Sequence, residues 1–358
     1  MSLRVLIVSS LQETTPPLGY GGTERFVHYL AESMVSKGYV VTVVCKKGSI
    51  GGSYKTLEVD TVNFNPEFLL KELENNKYDL IHLNTKIPSL IELLAKLKIP
   101  VVITFHNNFR KNSSWVSVIE ENHDNFYFTV ISNSLKERVI EALNFNKVAL
   151  PKHFITNLGF GMDVSRYLKK YNPNLARVSH VYLGVIARYK GVLDIVKSFV
   201  GSDEKLVLIG SYNGDENREY FNEIMKIVDD TENILYFGET KNEDEKIELL
   251  NKAKSLIVAT GYDALESDCY EAFGLVMLEA NSLGTPVIGY SKGNVENYII
   301  DNVNGFKFKN ITEISVLIKR LEEKDMRESC VEYAKKFDIN IISSEYIEYF
   351  KNVIEGNI

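Results

Sequence analysis

Short apolar, β-branched runs alternate with segments of helical periodicity, twice over, and that alternation restricts the chain to an α/β fold. Residues 5–9, 40–45, 80–83, 101–105 and 128–132 read as buried strands, with helical stretches near 23–37, 66–75, 88–97 and 134–143 between them. A second series places strands at 178–187, 206–209, 234–237, 256–259 and 287–289, with helices near 191–200, 217–229, 243–252, 275–283 and 312–323. Strands that alternate with helices pair in parallel and are covered on both faces. With 358 residues the chain exceeds one core of ordinary size and suffices for two.

The boundary is expected in the polar segment Leu168-Lys-Lys-Tyr-Asn-Pro-Asn-Leu-Ala-Arg177, which has the character of a linker and is a candidate hinge. This gives a first domain over residues 1–170 and a second over 171–340. After a break at Asp338-Ile-Asn, residues 341–355 space Ile342, Tyr346, Tyr349, Phe350 and Val353 on one helical face. Doubly wound sheets carry their ligand crevices at the carboxyl ends of the strands. If those ends face each other, one cleft serves both domains.

Composition narrows the function classes. Hydrophobic residues make up 45% and charged residues 25%, an ordinary globular balance. No apolar run reaches the roughly 18–20 residues of a membrane span. The start, Arg4-Val-Leu-Ile-Val-Ser, reads as a strand without the longer apolar stretch and cleavage site of a signal peptide, so a cytoplasmic location is expected. Cys45, Cys269 and Cys330 are scattered and form neither a disulfide framework nor a metal motif. The sequons at Asn112 and Asn310 carry no meaning in a cytosolic chain. Residues 1–175 hold 20 basic and 16 acidic side chains, and residues 176–358 hold 21 and 32. The acidic second half argues against a nucleic-acid partner. The mildly basic first half would allow peripheral membrane contact at most, and no dense cationic cluster demands it.

Three segments carry chemistry. Leu18-Gly-Tyr-Gly-Gly-Thr-Glu24 lies between the first strand and first helix, where Gly21 and Gly22 would allow close backbone approach to an anion. Thr23 is expected to cap the helix and Glu24 to sit in its first turn; by itself the segment is equally a plain turn. Ala187-Arg-Tyr-Lys-Gly191 puts Arg188 and Lys190 beside a helix start, suited to a diphosphate or to a solvated loop. Cys269-Tyr-Glu-Ala-Phe-Gly-Leu-Val-Met-Leu-Glu279-Ala joins a strand to a helix, with Glu271 before the helix and Glu279 on it. The following Gly284-Thr-Pro-Val-Ile-Gly289 is a helix stop and a buried strand, so Glu279 is expected to point into a crowded unit.

These segments together resemble a family 4, GT-B-fold retaining glycosyltransferase: two Rossmann-like doubly wound domains facing across a cleft. The most specific signature is Glu271 and Glu279 around Gly274-Leu-Val276, followed by Gly284-Thr-Pro-Val. Gly21-Gly-Thr-Glu24, Leu30-Ala-Glu, Lys37-Gly38, Thr104-Phe-His106, Asn157 through Gly161-Met-Asp163 and Lys190-Gly191 match in order along nearly the whole chain. The resemblance implies that Glu271 holds donor-sugar hydroxyls and Glu279 the ribose diol. Gly274, Leu275 and Val276 would offer backbone contacts, Lys190 would hold the diphosphate, and Gly21 and Gly22 would approach it from the first domain. His106 would line the cleft. The final helix would cross back onto the first domain.

It further implies a UDP- or GDP-sugar donor, no essential metal or other cofactor, and a glycan, lipid-linked or small-molecule acceptor. Asp229, Asp230 and Asp263 lack partner carboxylates for a cation site. Loops near Gly210-Ser211 and Phe237-Gly-Glu-Thr240 would read the base, and Phe109-Arg-Lys-Asn-Ser-Ser-Trp115 is a candidate acceptor loop. One departure stands out. Where the family carries Gly-Arg at the end of the second domain's first strand, this chain has Gly184-Val185, and the second cation is Arg188. A phosphorylase, an epimerase or a non-catalytic nucleotide-binding module is the alternative.

Overall fold

The computed structural model describes residues 2–19, 21–61, 64–109, 113–121, 125–148, 155–262 and 269–358. Two compact units are present: Met1–Met162 with Phe337–Ile358, and Asp163–Lys336. The chain thus leaves the first unit between Met162 and Asp163, ahead of the segment read as a linker. Asp263 and residues 110–112 of the acceptor-loop candidate lie outside the described residues.

The first unit contains β1 (Arg4–Val8), α1 (Gly22–Ser36), β2 (Val40–Lys46), β3 (Lys55–Val59), α2 (Phe68–Asn75), β4 (Leu80–Leu83), α3 (Pro88–Ala95), β5 (Val101–Phe105), α4 (Trp115–Glu121), β6 (Phe126–Val130), α5 (Asn133–Phe145) and β7 (Thr156–Asn157). All strand pairs are parallel, in the order β3-β2-β1-β4-β5-β6-β7. The central strands β4, β5 and β6 are buried along their whole length, which is why they read as unbroken apolar runs. β3 (Lys-Thr-Leu-Glu-Val) escaped the sequence reading because it is an edge strand with one polar face. At two residues, β7 is too short to leave a pattern.

The second unit runs α6 (Val164–Leu168), β8 (Ser179–Leu183), α7 (Val192–Phe199), β9 (Leu206–Ile209), α8 (Arg218–Asp229), β10 (Ile234–Gly238), α9 (Glu243–Asn251), β11 (Ala253–Val258), α10 (Leu275–Ser282), β12 (Val287–Tyr290), α11 (Asn294–Tyr298), β13 (Gly305–Phe308), α12 (Ile314–Glu322) and α13 (Arg327–Lys335). Its parallel sheet has the order β10-β9-β8-β11-β12-β13. β8 is shorter than the expected 178–187, because Gly184 leaves extended geometry with φ 151°. At Gly210 the backbone runs so close to Gly184 that an added Cβ would lie 2.0 Å from its carbonyl oxygen.

The chain returns to the first unit through α14 (Ile339–Glu355). The expected break at Asp338-Ile-Asn is instead the helix start: Asp338 is the N-cap and its carboxylate accepts from the Asn340 amide at 2.9 Å. Met162 and Ile339 close this return with backbone bonds of 3.1 and 2.9 Å. Tyr346 and Phe350 are fully buried, and the Phe350 ring lies 5.2 Å from that of His82 on β4.

Buried polar groups tie the second sheet together at the amino ends of its strands. His180 on β8, 1% exposed, bonds Ser255 on β11 through Nδ1 at 2.8 Å and Glu204 through Nε2 at 3.2 Å. Burial favours the neutral ring, and despite the opposing pull of Glu204 its pKa falls to about 4. A depressed histidine pKa gives stability that is complete above the ordinary value of about 6.5 and is lost as pH falls toward 4. The loss should approach roughly 2 kcal/mol by about pH 5. Urea unfolding at neutral pH and at about pH 5 measures it. A His180→Asn variant with the wild-type pH dependence would refute this assignment.

Candidate active site

Both sheets have a topological switch point, where successive crossovers leave in opposite directions and the strand ends part into a crevice. In the second unit it lies between β8 and β11. The loop after β8 forms a single 3₁₀ turn, Arg188–Lys190, ended by Gly191 in the left-handed region at φ 66°. Only glycine fits there, since a Cβ would sit 2.6 Å from the Ala259 carbonyl oxygen at the end of β11. This close approach of the two loops sets Lys190 opposite the segment after β11.

Lys190 donates to Glu271 Oε2 at 2.8 Å, and the Thr260 hydroxyl donates to the same oxygen at 2.9 Å. The Glu271 side chain is 17% exposed. Burial raises its pKa, but the Lys190 charge with the bonds from Lys190 and Thr260 outweighs that and holds the carboxyl below the ordinary range. The backbone is fixed as well: the Asn294 amide donates to the Glu271 carbonyl at 2.9 Å. Gly274 begins α10 at φ 86°, where a Cβ would lie 2.9 Å from Glu271 Cγ. Leu275 and Val276 form the first turn, where helical amides have no partner further back in the helix.

Glu279 is on the same helix and 2% exposed, in the crowded setting its flanks foretold. It accepts from Lys246 Nζ at 2.7 Å and Tyr167 Oη at 3.1 Å. Lys246 also pairs with Glu243 at 2.8 Å, and Tyr167 donates to Glu243. Two carboxylates thus share one ammonium and one phenol. Arg188 is exposed, and its guanidinium lies 4.9 Å over the Tyr220 ring rather than in the Lys190–Glu271 pair. Tyr220 in turn accepts from the Leu193 amide at 2.8 Å, in the first turn of α7. Val185, in the position the resemblance reserves for Arg, accepts through its carbonyl from Tyr182 Oη at 2.6 Å. Ser211 and Thr240 occupy the loops after β9 and β10, and Ser211 donates to Glu239.

In the first unit, Gly21 is the N-cap of α1 with φ 141°, and a Cβ there would meet Pro17 at 2.7 Å. Gly22 starts the helix with open space around its Cβ position. Thr23 does not cap α1; it lies within the helix, which has no side-chain cap. Glu24 folds back instead, accepting from the Ser10 hydroxyl and from the Glu13 amide at 3.0 Å, and so shapes the loop after β1. His106, 5% exposed at the end of β5, bonds Asn84 Oδ1 through Nε2 at 2.7 Å. Burial, then the nearby His82 and Lys86, keep its pKa well below the ordinary value.

Thr260, Tyr167, Lys246 and Asn84 were invisible in the sequence reading. Tyr167 and Lys246 lie 112 and 33 residues from Glu279, whereas Asn84 and Thr260 each directly follow an apolar strand run, the one position that singles them out.

Residues 164–337 match the family described as glycosyl transferases group 1, and residues 20–150 match glycosyltransferase family 4. The chain is a GT-B glycosyltransferase. The enzyme is of hexosyltransferase type. It is 24% identical to an uncharacterised glycosyltransferase of Methanocaldococcus jannaschii over 95% of this chain and 96% of that protein. A Rickettsia africae glycosyltransferase superposes with a TM-score of 0.76 at 16% identity, covering 99% of both chains. Anabaena HepE, solved with UDP and glucose, superposes with a TM-score of 0.71 at 15% identity, covering 98% of this chain and 99% of that one. Among the described residues, no helix of this glycosyltransferase is long and apolar enough to cross a membrane.

The Lys190–Glu271 pair should be ionised and coupled. Lys190→Met strands the carboxylate and should destabilise the fold by about 2 kcal/mol. Adding Glu271→Gln should recover more than half of that loss in chemical denaturation. Equal stability of Lys190→Met and wild type would show that the pair contributes nothing.

Proposed function

We propose that this enzyme transfers a sugar from a nucleoside-diphosphate sugar to an acceptor hydroxyl with retention of the anomeric configuration. The observation that carries the reading is the Lys190–Glu271 pair at the second unit's switch point, beside the amino end of α10. A mobile ammonium, a carboxylate and free helix amides are the groups needed for a diphosphate bearing a hydroxylated sugar. The HepE structures with UDP and with UDP-glucose support this donor class.

In this reading Lys190 moves from Glu271 to the diphosphate and neutralises the charge that develops as the glycosidic bond to phosphate breaks. The leaving phosphate oxygen takes the acceptor's proton while the new bond forms on the same face. Glu271 orients sugar hydroxyls without becoming a covalent nucleophile, so no glycosyl–Glu271 adduct accumulates. Glu279, released from Lys246, holds the ribose diol. Lys190 supplies the charge that a divalent cation would otherwise bring, so the reaction proceeds without a metal. Arg188 reaches the phosphate only by leaving Tyr220, which makes Lys190 the principal phosphate cation.

Calorimetric titration with UDP, GDP and ADP in the presence of a chelator tests this. One nucleotide should bind, and Lys190→Ala should weaken it by about tenfold or more. Absence of binding to folded protein, or binding that requires a divalent cation, would reject the proposal. NMR of the product from the matching sugar nucleotide reads the anomer, and inversion would reject the retaining step.

A further inference from the structure

The first unit has its own switch point, between β1 and β4, and among the described residues Lys86 stands beside it. Lys86 lies in the loop between β4 and α3. Its ammonium sits 5.6 Å from the centroid of Phe105 and 5.2 Å from that of Phe109. Burial pulls its pKa down to about 8. Among the described residues it has no carboxylate, carbonyl or hydroxyl partner. Lys86 is half-buried, and ring contacts return only part of what its partial removal from water costs, so its charge has no counter-ion among the described residues.

Beside it stands an acceptor without a donor. Asn84 Nδ2 donates to the Val8 carbonyl at 3.3 Å, which turns Oδ1 toward His106 Nε2. Nε2 therefore carries the proton, and Nδ1 is left with a bare lone pair that no described group meets. Lys86 is close enough to His106 to depress its pKa. An unpaired cation and an unpaired hydrogen-bond acceptor thus share the carboxyl ends of neighbouring strands. Neutral sugar hydroxyls can bond both groups but leave the Lys86 charge without a counter-ion, which an oxyanion supplies.

We propose that Lys86 and the His106–Asn84 pair form a subsite for an acceptor that carries an oxyanion, a phosphate monoester or carboxylate, next to a hydroxyl. The oxyanion accepts from Lys86, and the hydroxyl donates to His106 Nδ1, which is buried until neighbouring side chains part to admit it. Calling the ligand the acceptor rests on the transferase reading above; the oxyanion site itself does not.

Competitive acetylation of the full-length protein with limiting acetic anhydride, read lysine by lysine in the mass spectrometer, tests the subsite. The reaction is run alone and with glycerol 3-phosphate, malate, phosphatidic acid vesicles or glucose at matched ionic strength. A bound oxyanion that raises the Lys86 pKa by one unit should slow its acetylation at about pH 8 by about fivefold. The exposed Lys324 should react unchanged. Protection by glycerol 3-phosphate or malate assigns a soluble anionic acceptor, protection by vesicles alone a lipid-borne one, and glucose should give none. Equal Lys86 labelling under every condition, or equal protection by glucose, overturns the proposal. The readout needs neither nucleotide nor turnover, so its failure and a failure of donor binding are separate results.

Discussion

Parallel pairing is the constraint on which the rest depends. A parallel strand cannot turn directly into its neighbour, so each connection runs back across the sheet, through a helix in every case but β2 to β3, and all carboxyl ends fall on one edge of the sheet. The loops after β1, β4 and β5 therefore gather in one unit, and those after β8, β9, β10 and β11 in the other. Chemistry is confined to that edge by the fold, before any residue choice. The opposite edge serves cohesion, and its buried polar cluster around His180 makes hydrogen bonds between strands instead of facing a crevice.

Within the second unit, glycines decide how close the loops come. Gly191 against Ala259, Gly210 against Gly184, and Gly274 against Glu271 each leave no room for a side chain. The result is a short path between Lys190 on one side of the switch point and Glu271 on the other. A buried carboxylate beside a lysine and a threonine stays charged, which keeps it a hydrogen-bond acceptor. Glu279 is held differently, by Lys246 and Tyr167, with Glu243 competing for both. In the proposed reaction, opening one pair releases a charge-bearing partner for the donor, and each pair holds its charges in place until then.

Aromatic packing joins the first unit's sheet to its flanking helices. Phe26, His82, His106, Tyr346 and Phe350 form a ring cluster between β4, β5, α1 and α14. The last helix is thus part of this unit's core despite its distance along the chain, and the Met162–Asp338 bridge holds the point of return.

The sequence by itself determined the two parallel sheets, because strands buried on both faces must be apolar along their length, and its resemblance to family 4 glycosyltransferases picked out Lys190, Glu271, Gly274 and Glu279. It also carried the apolar face of the last helix, though not its start, since Asp338 looks like a break until its carboxylate is seen capping the Asn340 amide. It missed β3 and β13, whose polar positions blur the strand pattern at the sheet edges. Only the tertiary structure decided which polar groups meet: Lys190 with Glu271, Arg188 with Tyr220, Lys246 with Glu279, and Lys86 with two phenylalanine rings and no acid among the described residues. The reason is physical. Burial patterns repeat locally and are legible in one dimension, whereas a hydrogen bond or ion pair joins residues that only the packing of crossovers brings within 3 Å of each other.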